Sequence, residues 1–286
     1  MRYRAILAAP SGLSIERRCT LLGVSRSGFY EWIRRPVSRR AQVNAQLVVE
    51  MRRIHVEMDR TYGSPRMAPE LASRGLACGR HRAARLMRAH GIRAKAARRF
   101  VVTTNSGHGY TVAPNLLARR FAVRAPNRVW MSDITYVQTA YGWCYVAVVV
   151  DAYSRRVVGW AVSRQLNADL ALAALHRALA TRRPGPGLLH HSDRGIQYAS
   201  AAYQDTLRRS GIRCSMSRRG DCWDNAVVES FFHSLKVERL HGLRLTDREE
   251  VCEELEDYIE RFYNRQRRHS TLGQISPVLF ELRNAA

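Results

Sequence analysis

The chain has 286 residues, of which 46% are hydrophobic, and its formal net charge is +23. This hydrophobic content is ordinary for a globular protein, so it predicts a buried core and argues against a disordered chain. The charge is concentrated at the front, because residues 1–124 have a net charge of +19 and residues 125–286 only +4. The total indicates a polyanionic partner, and its distribution favours a DNA-binding front half.

The cysteines and the apolar runs bear on the compartment. Six cysteines are scattered without a CxxC pair, which is typical of proteins in a reducing cytoplasm. The N-terminus, MRYRAILAAP, lacks the long apolar run of a signal peptide. The longest apolar run, near residues 145–150, is far too short to cross a bilayer. We therefore expect no membrane partner.

The N-terminal region, residues 1–60, has the outline of a helix-turn-helix. Apolar residues recur at helical spacing until Gly23 interrupts them, and Ser25 is a candidate N-cap for a second helix. Two helices joined by a short glycine turn form this motif. Arg26 and Ser27 would begin the second helix, where groove contacts are usually made. The alternative is an ordinary helical hairpin with a basic face.

Residues 61–100 repeat the design, although too little sequence identity remains to indicate a repeat. The outer side of the second helix there would carry four arginines able to contact DNA: Arg80, Arg82, Arg85 and Arg88. Residues 101–125 have no periodicity and predict a linker. The arginines of this linker either follow DNA phosphates or belong to a solvated loop.

From residue 126 the pattern changes to strands. Within residues 126–245 we expect three strands, then helix, strand, helix, strand and helix, an order that indicates a mixed five-stranded sheet with flanking helices. Residues 217–224 predict a mobile loop before the last helix. The remaining residues, 246–286, predict a helical tail, with Thr246 and Glu249 as a capping box.

Three carboxylates lie on separate predicted elements of this region. Asp133 lies within a strand, in WMSDITY; Asp193 follows a short strand, in HHSDRGI; and Glu229 lies on a helix, with 35 residues between it and Asp193. Clustered carboxylates repel one another, so a divalent cation is the usual counter-charge. Hard oxygen ligands favour magnesium or manganese. The pattern predicts a two-metal phosphoryl-transfer site acting on DNA.

The helix that carries Glu229 presents three polar side chains in a row. Glu229, His233 and Lys236 follow at spacings of four and three residues, which places them on one side. The chain has only two lysines among its 47 basic residues. A lysine in so arginine-rich a chain indicates a need for a compact point charge, and chance is the alternative explanation.

Motifs spread over nearly the whole chain match a known family: WMSDITY, VVVDAYSRRVVGW, HSDRGIQYAS, DNAVVESFFHSLKVE and YNRQRRHSTLGQISP. The chain resembles the DDE transposases of the retroviral-integrase-like class that the second reading frame of bacterial insertion sequences encodes. The resemblance implies a ribonuclease H-like catalytic core after an all-α helix-turn-helix region. It also implies that Asp133, Asp193 and Glu229 are catalytic and bind two magnesium or manganese ions. Lys236 would then contact DNA near the reacting end.

The resemblance implies partners as well. These are the terminal repeats of an insertion sequence, a target DNA and further copies of the chain, in the bacterial cytoplasm near the nucleoid. Family members are often active as a frameshift fusion with an upstream product, so we expect this chain to be the catalytic part of such a fusion. Two other carboxylates, Asp151 and Asp224, are expected to be turn or loop residues.

Two alternative functions stay open at this point. One is a metal-dependent nuclease of the same fold that cuts DNA without joining it. The other is a DNA-binding regulator whose catalytic domain is a relic. The presence of all three carboxylates counts against the regulator.

Overall fold

The computed structural model describes residues 1–9, 12–95, 112–218 and 222–285. Residues 101–111 of the predicted linker and residues 219–221 of the predicted loop lie outside the described residues. Among the described residues, no helix is both long and apolar enough to cross a membrane.

The front of the chain is helical. Serine side chains begin three of its helices by accepting a backbone N–H, as at Ser25, whose hydroxyl accepts from Gly28 at 3.1 Å. Gly23 adopts a left-handed conformation (φ +61°) in the turn between α2 and α3, which a side chain would disfavour. The helices are α1 (Arg2–Ala8), α2 (Ile15–Leu21), α3 (Arg26–Arg34), α4 (Arg39–Glu57), α5 (Ser64–Ser73) and α6 (Arg80–Ala89).

These helices form two packed groups. Ile6, Cys19 and Phe29 make a small core of their own for α1 to α3. By contrast, α4 to α6 bury their apolar stripes in a large core that continues into the sheet region. The front helices are therefore not all independent of the catalytic region. The predicted domain boundaries stay predictions.

A five-stranded sheet forms the centre of the second half. Its strands are β1 (Val129–Thr139), β2 (Gly142–Asp151), β3 (Val157–Ser163), β4 (Leu189–Ser192) and β5 (Arg213–Met216). Their order in the sheet is β3-β2-β1-β4-β5. The pairs β1–β2 and β2–β3 are antiparallel, whereas β1–β4 and β4–β5 are parallel. The predicted mixed five-stranded sheet is confirmed.

Both faces of the sheet are covered by helices. Alternate residues of β2 enter different cores: Val146 and Val148 face one side, and Ala147 and Val149 the other. The second side holds α7 (Ala168–Arg182), α8 (Ile196–Ala199) and α9 (Ala201–Arg209). There Gly159 admits α7, because a Cβ at this position would lie 2.2 Å from the carbonyl oxygen of Ala174.

The other face packs against α10 (Ala226–Leu235) and α11 (Arg248–Glu256). Both helices continue into π-helical segments, Lys236–Leu240 and Asp257–Tyr263, which the sequence does not predict. A last helix, α12 (Pro277–Arg283), ends the fold.

The predicted capping box at the start of α11 is wrong by one residue. Asp247 is the cap, because its carboxylate accepts the N–H of Glu250 at 3.0 Å. The Glu250 carboxylate accepts the N–H of Thr246 at 2.8 Å in return. This pair satisfies two backbone donors reciprocally, so Thr246 lies just outside the helix.

Candidate active site

The pairing of β1 with β4 brings two of the predicted carboxylates together. Ser132 on β1 is the register partner of Ser192, the last residue of β4. Each of these serines is followed by an aspartate: Asp133, which still lies within β1, and Asp193, which comes just after the end of β4. Since neighbouring strands lie about 4.8 Å apart, the two aspartates start close together at the C-terminal end of β4.

Asp133 is held at the edge of the buried layer. One carboxylate oxygen accepts the N–H of Ile134 at 2.8 Å. Burial raises the pKa of Asp133 well above its ordinary value, and the charges of Asp193 and Glu229 raise it further. Lys236 and the Ile134 hydrogen bond act in the opposite direction. Asp133 therefore interacts electrostatically with both other predicted catalytic carboxylates.

Asp193 lies in a tight turn after β4. Its Oδ1 accepts the N–H of Gly195 at 2.9 Å, and its carbonyl oxygen accepts from the Ser192 hydroxyl at 3.0 Å. A Cβ on Gly195 would lie 3.0 Å from Asp193 Oδ1 and from Gln197 Oε1. This turn consequently leaves little room for a side chain beside the carboxylate.

Glu229 lies on α10, on the face of the sheet that α10 and α11 cover. It lies in the first turn of α10, whose apolar side buries Val228 and Phe231, while Glu229 itself is exposed at the rim. The side-chain amide of Asn225, just before α10, donates to the carbonyl oxygen of Ser132 at 3.3 Å. This bond fixes the start of the helix beside Asp133. Partial burial raises the pKa of Glu229.

The carboxylate oxygens of the three residues are ligands that suit a hard divalent cation, but the three groups lie too far apart in this structure to hold one ion together. Among the described residues, no three aspartate, glutamate, histidine or cysteine side chains lie close enough together to hold one ion. Asp133 and Asp193 start from adjacent strands, whereas Glu229 comes from α10 on one face of the sheet. A divalent cation bound among them would offset the repulsion between three carboxylates.

Lys236 lies next to this site. Its ammonium lies 4.8 Å from the ring centroid of Tyr136, three residues beyond Asp133 on β1. Burial lowers the pKa of Lys236, while Tyr136 and Asp133 raise it. Lys236 begins the π-helical segment after α10. Glu229 and Lys236, which the sequence places on one side of a helix, therefore both interact with Asp133.

A layer of buried polar groups supports the two aspartates from behind, and sequence reasoning missed it. His190 Nε2 lies 2.8 Å from the Ser132 hydroxyl and 2.9 Å from the Tyr203 hydroxyl. His191 lies between the hydroxyls of Ser215 and Ser217, at 2.9 and 3.2 Å. Burial lowers the pKa of His190 to about 3 and that of His191 to about 4. The pair of adjacent histidines on a short strand between apolar residues and the Asp193 turn was the available signal.

The two other carboxylates have structural roles, as expected. Asp224 is fully buried and accepts hydrogen bonds from Arg218, Arg119 and Asn115. The Arg218 hydrogen bond is the main reason that the pKa of Asp224 lies far below its ordinary value. Asp151, the last residue of β2, accepts the backbone N–H of Tyr153 in the following turn and that of Asn127 just before β1.

The segment after α10 is clamped by ion pairs that the sequence did not predict. The buried carboxylate of Glu238 accepts from Arg267 at 2.7 and 2.8 Å and from Arg66, on α5, at 2.9 Å. The Lys95 ammonium donates to the carbonyl oxygen of Glu238 at 2.6 Å. Arg239 pairs with Asp59, Glu254 and Asp257. These bonds attach the front helices to the helix that carries Glu229.

Most of the predicted DNA-binding residues of the front half are exposed to solvent, unlike the buried ion pairs of Glu238. Arg26 and Ser27 are exposed at the start of α3, where Arg26 lies 3.8 Å from the carboxylate of Glu16. Arg80, Arg85 and Arg88 are exposed on α6. Arg82 is different, because its guanidinium donates twice to the Asn44 side chain on α4, at 3.0 and 2.7 Å. Arg82 therefore joins two helices.

Family comparisons agree with this arrangement. The family described as integrase core domain matches residues 123–222 and, in a second form, 210–277; the HTH-like domain matches residues 42–100. Transposase InsF for insertion sequence IS3A, from Escherichia coli K12, is 42% identical over 288 residues, which cover the whole of both chains.

This chain belongs to the family of IS3-type transposases.

A second relative, the insertion element IS600 uncharacterized 31 kDa protein of Shigella sonnei, is 46% identical over 262 residues, or 92% of this chain and 96% of that protein. The enzyme class is accordingly that of DDE transposases and integrases. A solved intasome of simian T-cell lymphotropic virus is similar over 75% of this chain and 70% of its own, with 17% identity and a TM-score of 0.47. The ribonuclease H-like fold is established by the strand order and the family match, without that likeness.

Proposed function

We propose that this transposase cleaves DNA at the ends of its insertion sequence and joins the freed ends to DNA, with Asp133, Asp193 and Glu229 as the catalytic carboxylates. The observation that carries the proposal is the register of β1 against β4, which supports a position of Asp133 next to Asp193. Glu229, on α10, is close enough to Asp133 for the two carboxylates to interact. Full-length similarity to a named transposase supports it.

The three carboxylates would hold two magnesium or manganese ions. When bound, such ions supply Lewis-acid activation of the attacking oxygen and stabilisation of the leaving 3′ oxygen. The chain would contribute the ligands and the partial burial of Asp133. Lys236 would bind a DNA phosphate beside the carboxylates as a compact positive charge. Catalysis in this class is mostly positioning and charge stabilisation.

The front half would supply affinity for DNA. The exposed residues Arg26, Ser27, Arg80, Arg85 and Arg88 are suitably placed to meet phosphates or a groove. Arg82 would contribute mainly by orienting α6. We further propose that copies of the chain act together on paired ends, with or without an upstream-frame product, in the bacterial cytoplasm.

A joining assay with purified protein tests the function. The substrate is a labelled duplex of the element's own end, incubated with a target plasmid and magnesium, with and without the upstream-frame product. Cleavage shortens the labelled strand, and joining transfers the label to the plasmid. We expect both products for the wild type and neither for Asp193→Asn or Glu229→Gln. Exposed carboxylates provide matched controls, Asp205→Asn and Glu249→Gln.

The same assay separates the alternatives. Shortened strands without joined plasmid would identify a nuclease. DNA binding without either product, unchanged by Glu229→Gln, would identify a regulator.

A further inference from the structure

A basic and aromatic groove lies beside the candidate active site. It has a volume of about 620 Å³ and lies between the β1–β2 hairpin and the segment 236–245 that follows α10. Its lining includes Tyr136, Trp143, Lys236, His241 and Arg244. Lys236 lines the groove and also interacts with Asp133, so the groove borders the site.

The aromatic side of the groove is built by cross-strand packing. Tyr136 on β1 and Trp143 on β2 are diagonal neighbours, because Trp143 is the register partner of Gln138. Their rings meet edge to face with centroids 5.1 Å apart. Trp143 is nevertheless 49% exposed. A large indole surface therefore faces solvent beside the ammonium of Lys236.

The charge of the lining is of one sign. Its ionisable groups other than tyrosine are Lys236, His241 and Arg244, and none of the described residues that line it is acidic. The acidic residues nearest to the lining along the chain are engaged elsewhere: the buried carboxylate of Glu238 pairs with Arg267 and Arg66, and that of Asp247 caps α11. The groove is accordingly complementary to an anion with an apolar face.

We propose that this groove binds an unpaired nucleotide of the DNA next to the reacting end, with the base stacked on Trp143 and the phosphate near Lys236 and Arg244. Bases inside a duplex are stacked on both faces, whereas an unpaired base can turn a face to the indole. Base stacking on aromatic side chains in a positively charged groove is the common mode of single-strand binding. The volume lies within the range of about 300–1,000 Å³ of small-ligand sites, which suits one or two nucleotides and no duplex.

This proposal rests on the proposed function, since it takes DNA as the substrate and places the nucleotide beside the catalytic carboxylates. It adds a preference that the catalytic site alone does not give: frayed or tailed ends should bind better than blunt ends. The preference belongs to binding and requires no chemistry, so it can be measured with the metal removed.

Fluorescence anisotropy with two labelled duplexes tests it. Both carry the element's own end, and one has a short single-stranded thymidine tail while the other is blunt; EDTA prevents cleavage. We expect wild type to bind the tailed duplex more tightly, and Trp143→Ala to weaken that binding about tenfold without affecting the blunt duplex. Trp143→Phe should retain most of the tail preference. Arg244→Gln should lower the salt slope for the tailed duplex by about 0.7.

The same hairpin offers a matched control. Tyr141 is 82% exposed two residues before Trp143 but does not line the groove, so Tyr141→Ala should leave both affinities unchanged. Circular dichroism and thermal unfolding verify that each variant is folded. Equal affinity of wild type for the two duplexes, or equal losses in Tyr141→Ala and Trp143→Ala, would overturn the proposal.

Failure of the groove and failure of the proposed function give different results. Joined products without a tail preference would contradict nucleotide binding in the groove and support the transposase reaction. A tail preference that requires Trp143, in a protein that joins no ends, would support nucleotide binding in the groove and contradict the reaction.

Discussion

The guanidinium of Arg267 donates hydrogen bonds to both carboxylate oxygens of Glu238, and both side chains are buried. Burial raises the pKa of Glu238, but the hydrogen bond and charge of Arg267 outweigh burial, so this pKa lies below its ordinary value. Glu238 follows Lys236 in the π-helical segment. The ion pair therefore anchors the segment Lys236–Leu240, which lines the groove beside the candidate active site, to the core.

Glu238→Gln should destabilise the protein by about 3–5 kcal/mol, because it leaves the buried charge of Arg267 without its counter-charge. The free energy of unfolding in urea measures this destabilisation. In the fraction that remains folded, we expect slower joining at saturating DNA, since the segment that begins at Lys236 loses its anchor.

The Arg74 cluster is the control for that experiment. Arg74 pairs with Glu50, Glu57 and Glu70 within α4 and α5, away from α10. Arg74→Gln should cost less stability, because the Arg74 side chain is 23% exposed, and should leave joining by the folded protein unchanged. Equal effects of the two variants on joining would contradict a specific role of Glu238.

Metal binding should stabilise the wild type and not Asp133→Asn. A ligand present at 100 times its dissociation constant adds about 2.7 kcal/mol to the free energy of unfolding, so magnesium or manganese should raise the melting temperature. Without metal, Asp133→Asn should be the more stable protein, because it removes a buried charge that Asp193 and Glu229 repel. Asp205→Asn should behave as wild type. A metal-induced shift that persists in Asp133→Asn would contradict the ligand assignment.

Neutralising three exposed arginines of α6 should reduce the salt dependence of DNA binding. For the combined change of Arg80, Arg85 and Arg88 to glutamine, the slope of log affinity against log salt should fall by about 0.9 for each DNA phosphate that the protein no longer neutralises. Arg82→Gln should mainly lower stability, because Arg82 bonds to Asn44. Titrations at several salt concentrations measure the slope, and an unchanged slope would remove this helix from the DNA interface.

Mild acid should destabilise the protein through its buried histidines. The pKa of His191 is about 4 in the fold, against about 6.5 in an unfolded chain. Below about pH 6.5 the unfolded chain therefore binds protons that the folded chain excludes, and the free energy of unfolding falls by up to about 1.4 kcal/mol per pH unit for each such histidine.

Urea unfolding between about pH 7 and pH 5 measures this slope. His191→Gln, whose amide can still bond to the two serine hydroxyls, should remove one histidine's share. The exposed His81→Gln is the control. A slope that does not change in His191→Gln would show that this residue does not titrate in the way its burial implies.

The sequence predicts those features that depend on neighbouring residues. The cap at Ser25 is a local signal, and the structure confirms it. The order of strands and helices along the chain also follows from local patterns and short connections. The three carboxylates were recognised by their spacing, and their catalytic role stays a prediction.

Features that depend on distant residues were beyond local patterns. The π-helical turn at Lys236 is held by Glu238, whose partners Arg267 and Arg66 lie 29 and 172 residues away. Likewise, the bond between Arg82 and Asn44 spans 38 residues, so α6 looked uniformly exposed in the sequence. The position of Glu229 relative to the two aspartates depends on how α10 packs on the sheet, which no local signal encodes.

The most direct test of the central claim is the formation of joined element ends in bacterial cells. A plasmid carries the element with its upstream frame, and amplification across abutted ends detects the junction. The proposal predicts junctions with wild type and with Asp205→Asn, and none with Asp193→Asn although that protein accumulates and binds DNA. Junctions that form equally well with Asp193→Asn would contradict the assignment of this site as the catalytic centre.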